Sequence, residues 1–340
     1  MRAMILAAGY GTRLWPLTVD RTKPAIPFMG RPLVGYVAEY LSRHGCLEVA
    51  VNLHHRPESV REALGDGSRF GVHLEYVEEP EILGTSGALD NARAFLEGGT
   101  FVVVNGKIVT DIDLGAALET HRRTNALATL VLLRNTRRER FSVVETRDGL
   151  ITGFGGMPTP IASDNAVDDR SQNDDRRSIA DAPLMFTGIQ ILEPRIFSYI
   201  PRGVFSHSTT DVYPQAMARG ERVAAHVAEG MWYELSTIPR YLDVSLALLA
   251  DLGRDLEMGD NCFISAGSEV SETILWDDVT IEEGARVRRA VLGDGVRVPG
   301  GETIENAAVV RAALVEGVES PSKALRGERR GDNFVVPLSQ

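Results

Sequence analysis

The 340 residues predict an α/β domain built on a mostly parallel sheet, followed by a smaller β-domain of short repeated strand–turn units. Three observations carry this. Short apolar runs alternate with stretches of helical spacing as far as Leu252, the pattern of strand–helix–strand units. The opening run, Met4-Ile5-Leu6-Ala7-Ala8, ends abruptly in a glycine loop, as a buried first strand does. Beyond Leu252 the apolar positions Ile264, Val270, Val279, Ala285 and Val291 are separated by multiples of three, mostly six, among Gly, Asp and Glu. The domains expected are therefore 1–252 and 253–340.

The first strand empties into Gly9-Tyr10-Gly11-Thr12-Arg13. Gly9 and Gly11 let the loop turn sharply and bring bare N–H groups against an anion. Arg13 adds a forked cation and Lys23 a second positive charge, so the stretch predicts a polyphosphate site. Its spacing is neither that of the P-loop nor, lacking a third glycine, that of the dinucleotide fingerprint. Pro32 opens a helix in which Leu33, Val37 and Leu41 share a face, Gly45 stops it, and Leu47 to Asn52 is the next strand. A helix with Val60 and Leu64 on one face precedes a strand at Val72 to Val77. The adjacent His54 and His55 are expected to diverge and pack rather than bind a metal.

Thr85 or Ser86 is expected to cap a helix carrying Leu89, Ala92 and Leu96, with Gly84 and Gly87 allowing close backbone approach. Phe101 to Val104 reads as a central strand, and Asp113 as the cap of a helix carrying Leu114, Ala117 and Leu118. Strands follow at Ala126 to Leu133, Phe141 to Glu145, Leu150 to Phe154 and Leu184 to Leu192. The polar run 162–181 between the last two reads as a flexible insertion. Thr237 caps the helix through Tyr241, Val244 and Leu248 that closes the first domain. The turns Ala266-Gly267, Glu283-Gly284 and Gly293-Asp294-Gly295 resemble those of a hexapeptide left-handed β-helix, with a small irregular β-domain as the alternative. The segment from Lys323 to Gln340 is expected to be a tail or an arm on a neighbour.

Composition bounds the function. A hydrophobic share of 44% and a charged share of 24% are those of a soluble globular protein. A net charge of −11 argues against nonspecific binding to nucleic acid or to an anionic membrane, so a phosphate site must be a local basic pocket. The two cysteines, Cys46 and Cys262, form no C-x-x-C or zinc pattern, which fits a reduced cytoplasm. The N-terminus reads as a core strand rather than a signal peptide, and no apolar run is long enough to span a bilayer.

The opening string Leu6-Ala7-Ala8-Gly9-Tyr10-Gly11-Thr12-Arg13-Leu14-Trp15-Pro16-Leu17-Thr18, followed by Lys23-Pro24, resembles the signature of sugar-1-phosphate nucleotidylyltransferases, L-A-A-G-x-G-T-R-L-x-P-L-T and K-P. The resemblance implies a Rossmann-like nucleotidyltransferase domain whose loop wraps a nucleoside triphosphate. It assigns nucleotide binding to Leu6, Ala7, Ala8, Gly9, Gly11 and Thr12, and catalytic roles to Arg13 and Lys23. The segment Glu81-Ile82-Leu83-Gly84-Thr85-Ser86-Gly87-Ala88 is similar to the family's E-x-L-G-T-A-G-A, which lies against base and sugar, so Gly84 and Thr85 join the nucleotide set, as do Asn105 and Gly106.

Departures from the family begin at Lys107. The family's N-G-D aspartate, which holds catalytic Mg²⁺, is Lys107 here, and the aspartate of W-x-D-I-G-T-P is Glu234. Glu234 and Asp111 are the remaining candidate metal ligands. Lys107 becomes a candidate catalytic charge, or the partner of Glu234 in a simple salt bridge. Where the family has F-x-E-K-P, with a lysine on the sugar phosphate, this chain has Gly156 and Met157. Ser142, Glu145, Thr187 and Gly188 fall at the implied sugar-binding positions. The segments are nearest to mannose-1-phosphate guanylyltransferases, which implies GTP and mannose-1-phosphate, and commonly a coil domain that serves assembly with further copies or with an active paralogue. The alternative is a catalytically degenerate regulatory subunit that binds a nucleotide or nucleotide-sugar.

Overall fold

The computed structural model describes residues 1–156 and 181–338. Met157 and the expected insertion at 162–181, apart from its last position, lie outside the described residues. The described residues form a nine-stranded sheet, with helices on both faces, and a separate coil of short strands.

The first strand, β1 (Arg2–Leu6), is followed by α1 (Leu33–Arg43), β2 (Glu48–Leu53), α2 (Pro57–Leu64), β3 (His73–Glu78), α3 (Gly84–Asn91) and β4 (Phe101–Asn105). The α1 face predicted by spacing is buried through Leu33, Val37 and Leu41. The chain runs outward from β1 through β2 to β3, then returns to place β4 on the other side of β1, all four parallel. That reversal is a topological switch point, and ligands bind outside the carboxyl ends of the strands there.

After a short strand β5 (Ile108–Thr110) come α4 (Leu114–Thr124), β6 (Ala128–Arg134), β7 (Val143–Arg147), β8 (Leu150–Gly155), β9 (Leu184–Leu192), β10 (Val223–Val227), β11 (Trp232–Glu234) and α5 (Ile238–Asp251). Beside β4 the sheet turns mixed. The long strand β9 runs antiparallel to both β4 and β6, and β7 and β8 add an antiparallel edge. The switch-point end is thus the parallel block and the far end a mixed one. Strands β5 and β11 leave the sheet as a two-stranded ribbon pairing Ile108 with Glu234.

Asp113 caps α4, accepting from the N–H of Gly115 and Ala116, and Thr237 caps α5, accepting from the N–H of Arg240. The capping role expected of Thr85 or Ser86 is not found. Helix α3 starts at Gly84, and the N–H groups of Ser86 and Gly87 both donate to the Ser206 carbonyl. A backbone oxygen satisfies the free donors of the first turn, so no side-chain cap is required. The two histidines do not diverge either: both rings pack on Tyr10, at centroid distances of 5.6 and 5.4 Å.

The second domain is the parallel coil expected of a hexapeptide left-handed β-helix. Strands β12 (Glu269–Leu275), β13 (Arg286–Leu292) and β14 (Thr303–Arg311) stack in parallel register, Val270 over Val287 over Ile304. Successive coils are offset by 17 residues, as in the bond from the Asp277 N–H to Asp294. Three six-residue units would take about 18, so each coil is a residue short, which blurs the repeat in the sequence.

The C-terminal segment is a correction. It is no tail: β15 (Asn333–Pro337) pairs antiparallel with β14, and residues Glu328–Arg330 pair antiparallel on its other side. Val336 and Leu338 enter one apolar cluster with Leu14, Leu17, Phe28, Leu242, Trp276 and Val310, drawn from both domains. Val335 packs on the opposite side, in the coil's own core, so both faces of the segment are buried as those of a solvated tail would not be. Replacing Leu338 with Ala is expected to lower unfolding free energy by about 2–5 kcal/mol in a denaturant titration. No change would return this segment to a tail.

Candidate active site

At the switch point β1 and β4 end side by side, and the Gly106 N–H donates to the Leu6 carbonyl at 2.9 Å. The glycine loop leaves β1 here. Gly11 has φ +67°, and a Cβ there would stand 3.2 Å from Cβ of Lys23 and 3.3 Å from its backbone N. Glycine thus brings the loop onto Lys23. Among the described residues, the N–H groups of Ala8, Gly9, Tyr10 and Gly11 have no acceptor. Consecutive unengaged donors on a bent loop form an anion cradle. Arg13 extends from the same loop, exposed, and Thr12 is half-buried beside it.

Two residues that the sequence reading passed over hold this loop. The Ala7 N–H donates to Oδ1 of Asn52 at 2.7 Å, and Asn52 Nδ2 donates to Glu79 at 2.6 Å. Glu79 also accepts from the Leu83 N–H at 3.0 Å, beside Gly84 and Thr85. Asn52 and Glu79 are 4% and 3% exposed. The glycine loop and the turn before α3 are therefore tied through one buried polar bridge. A polar residue inside the apolar run of β2 was the available signal.

The β5–β11 ribbon sets Lys107 beside Glu234, extended by the bond from the Leu235 N–H to the Lys107 carbonyl. Lys107 Nζ donates to Glu234 Oε1, and Glu234 is 7% exposed. Burial opposes the charged carboxylate, but Lys107, reinforced by Lys23 and Arg13, holds Glu234 below the ordinary range. Lys23 behaves in the opposite way. Burial and the Lys107 ammonium, with a smaller contribution from Arg13, outweigh Glu234 and push Lys23 down to about 7. Three cations thus converge on one carboxylate, and the surplus charge has no anion among the described residues.

Next to this cluster lies a cavity of about 330 Å³ with Lys107 and Glu234 in its wall. Ser142, Thr187, Thr209 and Thr210 line it, together with the rings of Phe141, Phe154 and Trp232. Asn105 lines it as well, held by Gly188: at φ +84°, a Cβ on Gly188 would fall 2.2 Å from the Asn105 amide. Gly188 therefore shapes the pocket through Asn105 rather than touching its contents. The Thr187 hydroxyl is engaged with the Val131 carbonyl at 2.7 Å. Glu145 is a correction: on β7 its neighbour Val144 is buried in the cavity wall, and strand alternation leaves Glu145 exposed, beside Gly153.

Asp111 does not join Glu234. Its carboxylate accepts from the Met231 N–H at 2.6 Å, three residues along the ribbon, about 10 Å away at strand spacing. No group of three or more potential ligands occurs among the described residues. An ammonium already holds Glu234, and a cation in the aspartate's place repels rather than binds a second one. The residues present do not fit a protein-held Mg²⁺.

Comparison with known proteins agrees with this geometry. Residues 2–251 match the family described as Nucleotidyl transferase, and residues 256–314 match the GlmU-like C-terminal hexapeptide. The chain belongs to the nucleotidyl transferase family. It is 31% identical to the UTP–glucose-1-phosphate uridylyltransferase of Synechocystis sp. over 71% of this chain and 61% of the relative. It is 29% identical to the mannose-1-phosphate guanylyltransferase of Mycobacterium tuberculosis over 69% of this chain and 61% of the relative. To the N-acetylmuramate alpha-1-phosphate uridylyltransferase of Neisseria meningitidis it is 33% identical over 71% of this chain and 95% of the relative. The chain thus spans less than two thirds of the first two. The crystal structure of HddC from Yersinia pseudotuberculosis shares the fold, with TM-score 0.60 and 20% identity over 73% of this chain and 99% of that one. Among the described residues no helix is long and apolar enough to cross a membrane.

In this nucleotidyl transferase the depressed Lys23 sets a pH dependence. The ammonium is present below pH 7 and lost above it. Nucleoside triphosphate is expected to bind most tightly below pH 7, and its phosphates to draw a proton back onto Lys23 above it. Calorimetry in two buffers of different ionisation enthalpy checks this. Flat affinity between about pH 6 and 9 with no proton uptake would refute it.

Proposed function

We propose that the protein is a sugar-1-phosphate nucleotidylyltransferase. The observation that carries this reading is the convergence of Arg13, Lys23 and Lys107 on Glu234, between an unengaged N–H cradle and a sugar-sized cavity. An acceptor in the cavity presents a phosphate oxygen to the α-phosphorus of a triphosphate held by Gly9, Gly11, Thr12 and Arg13. The new P–O bond forms in line as the bond to the bridging α–β oxygen breaks, and pyrophosphate leaves with the electron pair. Arg13 and Lys23 offset the charge on the leaving group. Lys107 faces the cavity and offsets charge from the acceptor side, where the resemblance puts a metal and a lysine that this chain lacks.

GTP and mannose-1-phosphate are the pair we favour, supported by the guanylyltransferase among the relatives; the other two relatives described above are uridylyltransferases. The coil suits assembly with further copies of the chain. A second reading, a non-catalytic regulatory subunit, is favoured by the Lys107–Glu234 ion pair, which closes one carboxylate of the family's metal site.

The test is pyrophosphate release from four ribonucleotides and dTTP against a panel of sugar-1-phosphates, with Mg²⁺ and with EDTA. Turnover with at least one pair is expected, GTP with mannose-1-phosphate first. Replacing Lys107 with Ala is expected to lower kcat by about tenfold or more, or about 1.4 kcal/mol. A Lys107→Asp variant with higher Mg²⁺-dependent turnover would sink the role given to Lys107. Nucleotide binding without turnover on any pair would move the reading to the regulatory subunit.

A further inference from the structure

The segment that carries the triphosphate grip is built on the coil domain. Leu14 and Leu17, directly after the glycine loop, are 0% and 1% exposed, and they share a cluster with Ile274, Trp276, Val291 and Val336 of the coil. Trp15 meets Phe334 edge-on at 5.5 Å between centroids. A polar path runs alongside. Trp276 Nε1 donates to the Tyr241 hydroxyl at 3.1 Å, which donates to the Pro27 carbonyl at 2.7 Å.

The shortest link passes through Arg21. Its guanidinium binds the Asp294 carboxylate of the coil, with three-quarters or more of each side chain covered. It also binds Asp20 at 3.0 Å through Nε and lies 5.1 Å from the Trp276 ring centre. Asp294 is itself fixed across two coils by the Asp277 N–H at 3.1 Å. A planar fork held by two carboxylates and a ring has little freedom, and lysine would keep its charge without that geometry. Arg21 stands two residues before Lys23. Between them Thr22 is 1% exposed and its N–H donates to the Ser59 hydroxyl at 3.1 Å. Lys23 in turn backs Gly11 at the close approach described above. Direct contacts thus join the coil to Arg21 and Lys23 to the glycine loop, and the backbone through buried Thr22 joins Arg21 to Lys23.

We infer that Arg21, anchored by Asp294 and Trp276, is a positioning residue for the triphosphate grip, so the coil domain completes the nucleotide site besides any part in assembly. The inference rests on the proposed nucleotide site but not on the transfer reaction. Its test is equilibrium binding of GTP and UTP, with thermal stability measured in parallel, for the full-length chain and for Arg21→Ala, Arg21→Lys, Asp294→Asn and the double variant Arg21→Ala with Asp294→Asn. Each of the Ala and Asn variants is expected to weaken nucleotide binding about tenfold, and the double variant by no more than the worse single one, since both break one link. Arg21→Lys is expected to recover part of the loss. Glu282→Gln, which cuts the coil's own pair with Arg297, controls for stability and is expected to leave binding unchanged. Folded Asp294→Asn protein with wild-type affinity overturns the inference and leaves the proposed function standing. An additive double variant, or an equal loss in Glu282→Gln, also overturns it by reducing the effect to general stability. A wild type that binds neither nucleotide brings down the nucleotide site, and this inference with it.

Discussion

The ion pair between Lys107 and Glu234 is the constraint on which the rest of the site depends. Lys23, Arg13 and Lys107 could not share one half-buried corner without a carboxylate among them, because each raises the cost of the next. Glu234 is held there by the β5–β11 ribbon, and its carbonyl is fixed by the Arg240 side chain at 2.7 Å. The ribbon leaves the main sheet at the end of β4 and returns at the start of α5. It crosses the wall between the triphosphate loop and the acceptor cavity, so one pair of side chains sits at the junction of both.

Support for that junction comes from two directions. From within the sheet, Asn52 and Glu79 fix the start of the glycine loop to the turn before α3. From outside it, the apolar cluster that includes Leu14, Leu17, Phe28 and Leu33 is completed by the coil and its returning strand β15. In this chain the same loop has a floor supplied by residues from Ile274 onward, which makes the division into two domains a division of topology rather than of packing.

How far the sequence could be read follows from how local each signal is. Helix α1, the caps at Asp113 and Thr237, and the central strand β4 were legible because spacing, a capping side chain and an unbroken apolar run act within a few residues. The start of α3 was not legible, because the Ser206 carbonyl that satisfies its first turn lies 120 positions away. Glu145 was misplaced because one step along a strand reverses the face a side chain takes, and no local pattern fixed that register. Strand β15 was misread for a related reason: its partner β14 and its apolar bed come from both domains. In the site, the loop, Arg13, Lys23 and the altered Lys107 were all visible as a motif. Asn52, Glu79 and Arg21 were not, since each acts through a partner remote in sequence.

A site built on a fixed ammonium differs physically from one built on two carboxylates. Carboxylates in an empty site repel each other until a cation arrives, whereas this site carries a surplus of positive charge until an anion arrives. The strain therefore falls on the cations, and it appears at Lys23, whose proton is held less firmly than that of an ordinary lysine. On the proposed function a triphosphate would relieve it by supplying the missing negative charge, so that binding energy and protonation would rise together. The arrangement also places the compensating charge before the substrate enters, in the wall of a pocket lined by Phe141, Phe154 and Trp232. Lys107, Arg13 and Lys23 thus belong to one electrostatic arrangement, organised around a single buried carboxylate.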